Sequence, residues 1–233
     1  MMRIVRQVVN LFRESTFLAY REGAPGCVVI DPGAYAPEER DALLQLIRKN
    51  GLVPEAILLT HGHTDHIFFV KALQDMFGIP VYVSREDEPL FPYSVRTTRM
   101  LGLIPPETDF RRTDIADGQV IRAAGLSFTV IRTPGHSPGS SCFWERDERV
   151  MFTGDTLFAG TIGRTDLMLG EYDDEIRSIM DKLMPLDGVI RFYPGHGPES
   201  TIGTERTGNP MLEPWGEAET EAAETDALEI HGI

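Results

Sequence analysis

From Thr60 to His66 the chain reads Thr-His-Gly-His-Thr-Asp-His, which puts three imidazoles and one carboxylate within six residues. Neutral imidazole is the commonest protein ligand for zinc and related ions, and a carboxylate adds an oxygen donor and negative charge. Three more residues of the same chemistry each follow a strand-like run at a Gly-rich break. They are His136 in Pro134-Gly135-His136, Asp155 in Thr153-Gly154-Asp155 and His196 in Pro194-Gly195-His196. Five of the six histidines therefore stand in metal-ligand contexts, and only His231 is left over. Packing three histidines into one short loop without a ligand would strand their ring nitrogens.

The spacing predicts a dinuclear site. His61 and His63, two residues apart after a strand, can point to one side of a loop and share an ion. Asp65 and His66 open the next helix and can reach a second position close by. A carboxylate between two ions can bridge them, and Asp155 is the free one. The expected sets are His61, His63, His136 and Asp155 for the first ion, and Asp65, His66, His196 and Asp155 for the second. Asp65 and Asp155 are the carboxylates on which catalysis would rest. Asp31, in Ile30-Asp31-Pro32-Gly33, is either a group that orients a ligand imidazole or a turn-former before proline. Arg164 could hold a substrate carboxylate or pair with Asp166.

The elements that must position these residues are short. Strand-like runs cover Arg3 to Asn10, Ser15 to Arg21, Cys27 to Asp31 and Ala56 to Leu59. Helical spacing covers Pro37 to Asn50, with Gly51 as its stop, and Ile67 to Phe77, ending at Gly78. Pro80 to Ser84 is the next strand. Residues 85–112 carry several prolines and little periodicity, which fits a helical insertion or a loop beside the site. Strands follow at Val120 to Ala123, Leu126 to Arg132, Ser140 to Trp144 and Arg149 to Phe152, then a helix from Tyr172 to Met184 and a strand from Val189 to Tyr193. Strand-rich and helix-bearing stretches appear twice, an order that suggests two sheets with helices outside each.

At 233 residues the chain fits one large domain, expected over 1–212, with an acidic tail expected to be flexible over 213–233. That tail has seven acidic residues and no Lys or Arg, and it supplies much of the net charge of −14. The acidic balance argues against a nucleic-acid partner, since phosphate binding needs clustered cations. No apolar run approaches a membrane span, and polar residues interrupt any signal-peptide core, so a cytoplasmic protein without a membrane partner is expected. Cys27 and Cys142 sit inside apolar runs and read as buried small hydrophobes.

Over residues 3 to 212 the motif order resembles the metallo-β-lactamase superfamily. Within it, the closest likeness is to single-domain hydrolases similar to glyoxalase II. Three segments carry the narrower likeness: Thr133 to Ser140, Phe152 to Asp166, and Pro194 to Gly203. The resemblance implies an α/β fold, an αββα sandwich of two mixed β-sheets flanked by helices, with the metals at one edge. It also implies two divalent ions, zinc first with iron or manganese as alternatives, and a small-molecule substrate. The implied reaction is hydrolysis of a thioester such as S-lactoylglutathione by a hydroxide bridging the ions. The chain departs from glyoxalase II in having Ile67-Phe68-Phe69 where a glycine pair is usual. After His196 its one cation is Arg206, so the basic residues that hold glutathione have no counterpart.

Other readings share the ligand set. A mononuclear iron persulfide dioxygenase would use a facial triad. A lactonase or esterase would use both ions, and a metal-binding sensor module would use neither catalytically. Aspartate rather than Cys or Ser at position 155 speaks against β-lactam hydrolysis. His63 in place of Glu speaks against an oxygen-reducing diiron flavoprotein partner.

Overall fold

The run Cys27-Val28-Val29-Ile30 has no polar member because both of its faces are covered. Successive side chains on a strand point to opposite faces. Cys27 and Val29 accordingly enter one core, while Val28 and Ile30 enter another. This strand belongs to a mixed sheet in the computed structural model, which describes residues 1–212. The acidic tail and His231 lie outside the described residues.

The first sheet runs in spatial order β1 (Met2–Val9), β2 (Glu14–Arg21), β3 (Gly26–Ile30), β4 (Val53–Leu58), β5 (Val81–Tyr82) and β6 (Arg112–Thr113). Its first three strands are antiparallel, and the pairs from β3 to β6 are parallel. The second sheet contains β7 (Val120–Ala123), β8 (Leu126–Arg132), β9 (Ser141–Glu145) and β10 (Val150–Gly154). A hairpin of β11 (Leu157–Phe158) and β12 (Thr161–Ile162) stands apart from it. With β13 (Arg191–Pro194) and β14 (Ser200–Thr201), the second sheet has the order β14-β13-β10-β9-β8-β7, parallel only between β10 and β13.

Three apolar cores divide the layers. Phe17, Val28 and Leu58 of the first sheet face Phe128, Phe143 and Phe152 of the second. The outer face of the first sheet packs against α1 (Pro37–Lys49) and α3 (Val70–Phe77) through Leu43, Ile47, Val70 and Leu73. The outer face of the second packs Met151 and Phe192 against α5 (Tyr172–Ser178) and α6 (Ile202–Gly208). The four layers are helix, sheet, sheet, helix, the expected αββα sandwich.

The chain leaves β3, β4, β8, β10 and β13 at one edge of this sandwich, and backbone bonds knit the exits together. Ser141 N donates to the Thr60 carbonyl at 3.0 Å, and Gly195 N to that of Gly154 at 2.8 Å. A Cβ on Gly195 would stand 2.3 Å from Asp155 Oδ1 and 2.7 Å from His66 Cε1, so only glycine lets these two loops approach.

Two elements differ from expectation, and over residues 85–112 the helical alternative is the one realised. The helix expected from Ile67 to Phe77 is two helices, α2 (Thr64–Ile67) and α3, broken at Phe68-Phe69. Phe69 N donates to the Pro32 carbonyl at 2.9 Å instead of continuing the helix, and both phenylalanines are buried. Within residues 85–112 lies α4 (Leu90–Met100). Its prolines are compatible with helix because Pro89 precedes the first turn and Pro92 sits inside it, where backbone N–H groups have no intrahelical acceptor. The helix expected from Tyr172 to Met184 is α-helical to Ser178 and continues through Leu183 in a wider π winding.

Candidate metal centre and active site

All seven predicted ligands meet at the shared edge. His63 Nδ1 lies 2.8 Å from His136 Nε2, which is 3.3 Å from His61 Nε2. On the other side, His196 Nε2 lies 3.2 Å from Asp65 Oδ2 and 3.4 Å from Asp155 Oδ2. Asp155 stands between the two sets. Its Oδ1 is 3.4 Å from His66 Nε2, and its Oδ2 is 3.6 Å from His136 Nε2. Ligand atoms of His61, His63 and His136 lie close enough to share an ion, as do those of Asp65, His66 and His196.

Hydrogen-bond partners set the tautomers. His136 Nδ1 donates to the Arg164 carbonyl at 2.7 Å, and His196 Nδ1 to the Phe12 carbonyl at 3.1 Å. His66 Nδ1 donates to Asp31 Oδ2 at 3.0 Å. Thr60 Oγ1 gives its one proton to Asp31 Oδ2 at 2.6 Å, so its oxygen accepts from His61 Nδ1 at 3.0 Å. In all four rings Nδ1 is engaged by a partner outside the cluster, and Nε2 is the nitrogen turned inward. His63 alone turns Nδ1 inward.

Ligand-type atoms packed this closely need a cation among them, a proton or a metal ion. His63 Nδ1 and His136 Nε2 face each other at 2.8 Å, and His63 Nε2, His66 Nε2 and Asp155 Oδ1 are buried with no hydrogen-bond partner. Nitrogen and oxygen donors with two carboxylates suit divalent zinc, iron or manganese. The residues fit two such ions.

The electrostatics divide in the same way. Burial and the neighbouring imidazoles push His61 well down and His63 to about 3, so both stay neutral and ready to ligate. Burial also opposes charge on His196, but Asp155 and Asp65 outweigh it and raise that ring to about 9. Against a similar burial penalty, Asp155, Asp65 and Asp31 hold His66 well above the usual histidine range.

Asp31 contacts the His66 ring through Oδ2, and it is also a turn residue, with φ of +46°. Three further buried carboxylates were missed in the sequence. Asp87 accepts from Gly62 N at 2.8 Å, Gly139 N at 2.6 Å and Ser137 Oγ at 3.0 Å, clamping the loop of His61 and His63 to the loop after His136. A Cβ on Gly139 would stand 2.4 Å from its carboxyl carbon. Glu175 Oε2 accepts from His136 N at 2.8 Å, and burial pushes its pKa up to about 9. Glu14 lies behind Asp31 and His66, and burial lifts it well above the carboxylate range. No local signal marks any of them. Asp87 sits in Arg85-Glu86-Asp87-Glu88 and Glu175 follows Asp173-Asp174, patterns that read as solvated charge.

A cavity of about 600 Å³ opens from the metal edge. His63, Asp65, His136, Asp155 and His196 line its floor, and Tyr93, Ser94, Thr97 and Leu101 come from α4 and its end. Arg164 lines it too, but its side chain is 62% exposed and bound to both oxygens of Asp166, at 2.7 and 2.8 Å.

The sequence profile of the metallo-beta-lactamase superfamily matches residues 13–196, a span that holds every one of these ligands. The chain belongs to this superfamily. Among its relatives, hydroxyacylglutathione hydrolase GloC of Haemophilus influenzae is 36% identical over 208 residues, covering 88% of this chain and 95% of that protein. The crystal structure of BLEG-1 B3 metallo-beta-lactamase superposes with a TM-score of 0.82 at 33% identity, over 89% of this chain and 98% of that one. TTHA1623 in a di-iron-bound form superposes at 0.78 with 35% identity, over 88% and 98%. These superfamily neighbours confirm the sandwich and its glyoxalase II-like membership, and they support a metal-dependent hydrolase. No helix among the described residues is long and apolar enough to cross a membrane.

Proposed function

We propose that this protein is a dinuclear metal-dependent hydrolase of small thioesters such as S-lactoylglutathione. One observation carries the reading: inward lone pairs and carboxylates form two abutting sets that share Asp155 at the floor of a cavity. His61, His63, His136 and Asp155 would hold one ion, and Asp65, His66, His196 and Asp155 the other. Zinc is the first expectation, and the di-iron form of TTHA1623 keeps iron beside it. Divalent ions held there supply Lewis acidity and a water acidic enough to ionise near neutral pH.

The chain's own residues do the rest. Asp31 fixes His66 directly and His61 through Thr60, so both rings would present Nε2 to the ions. Glu175 and Asp87 hold the His136 and His61 loops in place. The cavity admits a carbonyl to the floor, where Asp65 and Asp155 concentrate negative charge for the ions. Two buried, unpaired cysteines support the expectation of a reducing, cytoplasmic setting.

Elemental analysis of protein purified without added metal, followed by a panel of thioesters, lactones and a β-lactam, tests the reading. About two ions per chain with thioester turnover is the expected result. A single iron with oxygen uptake on a persulfide would replace it with the dioxygenase. Preference for the β-lactam, the reaction for which BLEG-1 is named, would also overturn it.

A further inference from the structure

The metal floor can position a scissile carbonyl, but the rest of the substrate must lie against the other wall. That wall is poor in free polar groups. Ser94 Oγ donates to the Gly62 carbonyl at 3.0 Å, Thr97 Oγ1 to that of Tyr93 at 2.8 Å, and Thr64 Oγ1 to that of Ser94 at 3.1 Å. Three hydroxyls that line the cavity are thus engaged with backbone. Tyr93 and Thr161 add two further hydroxyls, and most of the remaining lining is apolar, with Phe12, Leu101, Phe158, Ile162 and Leu167 as its large members. Phe158 stands beside the metal ligand His196, its ring centroid 6.3 Å away, so apolar surface begins at the floor. It includes Phe12, 38% exposed, and Leu101, 56% exposed.

Charge points the same way. Among the described residues, Arg164 is the one Arg or Lys lining the cavity, and Asp166 already matches it in bidentate geometry. A carrier with several carboxylates, glutathione among them, would find no second cation, and burying an unpaired carboxylate is strongly unfavourable. A net charge of −14 adds long-range repulsion of an anionic carrier.

We infer that the cavity selects thioesters by an apolar acyl chain of several carbons, laid along the Phe158–Leu101 wall, and makes little demand on the carrier. This rests on the hydrolase reading above and names the substrate class of that site. Glutathione esters would be turned over only as thioesters in general are.

The test uses the full metal-loaded chain with acetyl, butanoyl, hexanoyl and octanoyl thioesters of N-acetylcysteamine, a neutral carrier, beside S-lactoylglutathione. The parameter kcat/KM should rise about three- to fourfold per added methylene until the cavity is filled. Hexanoyl should exceed S-lactoylglutathione, and Leu101→Glu should flatten the slope. In parallel, calorimetry with non-hydrolysable S-alkyl thioethers of the same carrier should show Kd falling with chain length.

Hydrolysis that prefers S-lactoylglutathione and ignores chain length would overturn the inference and leave the hydrolase intact. If no thioester were hydrolysed but thioether binding still tightened with length, the hydrolase reading would fail and the apolar wall would stand. Absence of both would overturn the two together.

Discussion

The two walls of the cavity are built on opposite principles. On the metal floor the polar atoms are aimed: four rings are held at Nδ1 and turn Nε2 inward, with the buried Asp31 behind His66. On the α4 wall the Ser94 and Thr97 hydroxyls are turned back onto backbone, and much of the cavity lining beside them is apolar. The floor can do chemistry on whatever carbonyl reaches it, whereas the wall decides which molecule arrives. Reaction and selectivity thus belong to different segments of chain, joined by Asp87 between the metal loops and the start of α4.

The largest effect should come from the floor. Asp155→Ala removes the carboxylate shared by both sets, so it should lose at least one metal equivalent and about a thousandfold or more in turnover. Full metal content and a near-normal rate, from elemental analysis and a thioester assay, would sink the dinuclear assignment.

Asp87→Ala tests the joint. It leaves the Gly62 and Gly139 amides buried without acceptors, which should destabilise the fold by roughly 2–4 kcal/mol in urea titration. Chelator competition should show metal held about tenfold more weakly, because the His61–His63 loop loses its clamp. Unaltered metal affinity would mean that the two walls are independent. Asp87→Asn, which can keep one amide acceptor, should recover part of both losses.

A smaller effect is expected at the rim. Arg164→Ala breaks an exposed ion pair, and such pairs contribute about 0–1 kcal/mol, so turnover of neutral thioesters should change less than about threefold. A KM rise above about tenfold, seen only with carboxylate-bearing substrates, would give Arg164 the anchoring role and the wall a charged function.

The smallest response should come from the thiols. Burial pushes Cys27 and Cys142 up to about 12, so the reactive thiolate is scarce below that pH. Neither should react with an alkylating reagent at mildly alkaline pH until denaturant is added. Rapid labelling of the native protein would show that Cys142, behind the floor, is within reach of the site.

The difference between the walls is also a difference in legibility. His61, His63, Asp65 and His66 can be read because consecutive ligands leave a dense local pattern, and the Gly-flanked His136, Asp155 and His196 repeat its chemistry. Strands such as Cys27 to Ile30 can be read because burial on both faces demands an unbroken apolar run. The α4 segment could not be read in the same way. Its cavity face carries Tyr93, Ser94 and Thr97, which erase the apolar stripe, and Pro92 masks a first turn that tolerates it. Asp87, Glu175 and Glu14 look like surface acids until the fold buries them.

The sequence by itself determined the ligand types, their order, the two-sheet sandwich and hence the class of chemistry, since all of these leave local periodicity or spacing. Only the tertiary structure decided which charged residues are buried, which ring nitrogen carries each proton, and which surface faces the substrate. Those properties arise where segments far apart in the chain come into contact, as when Asp87 meets Gly62 and Gly139, and no local pattern encodes such a meeting.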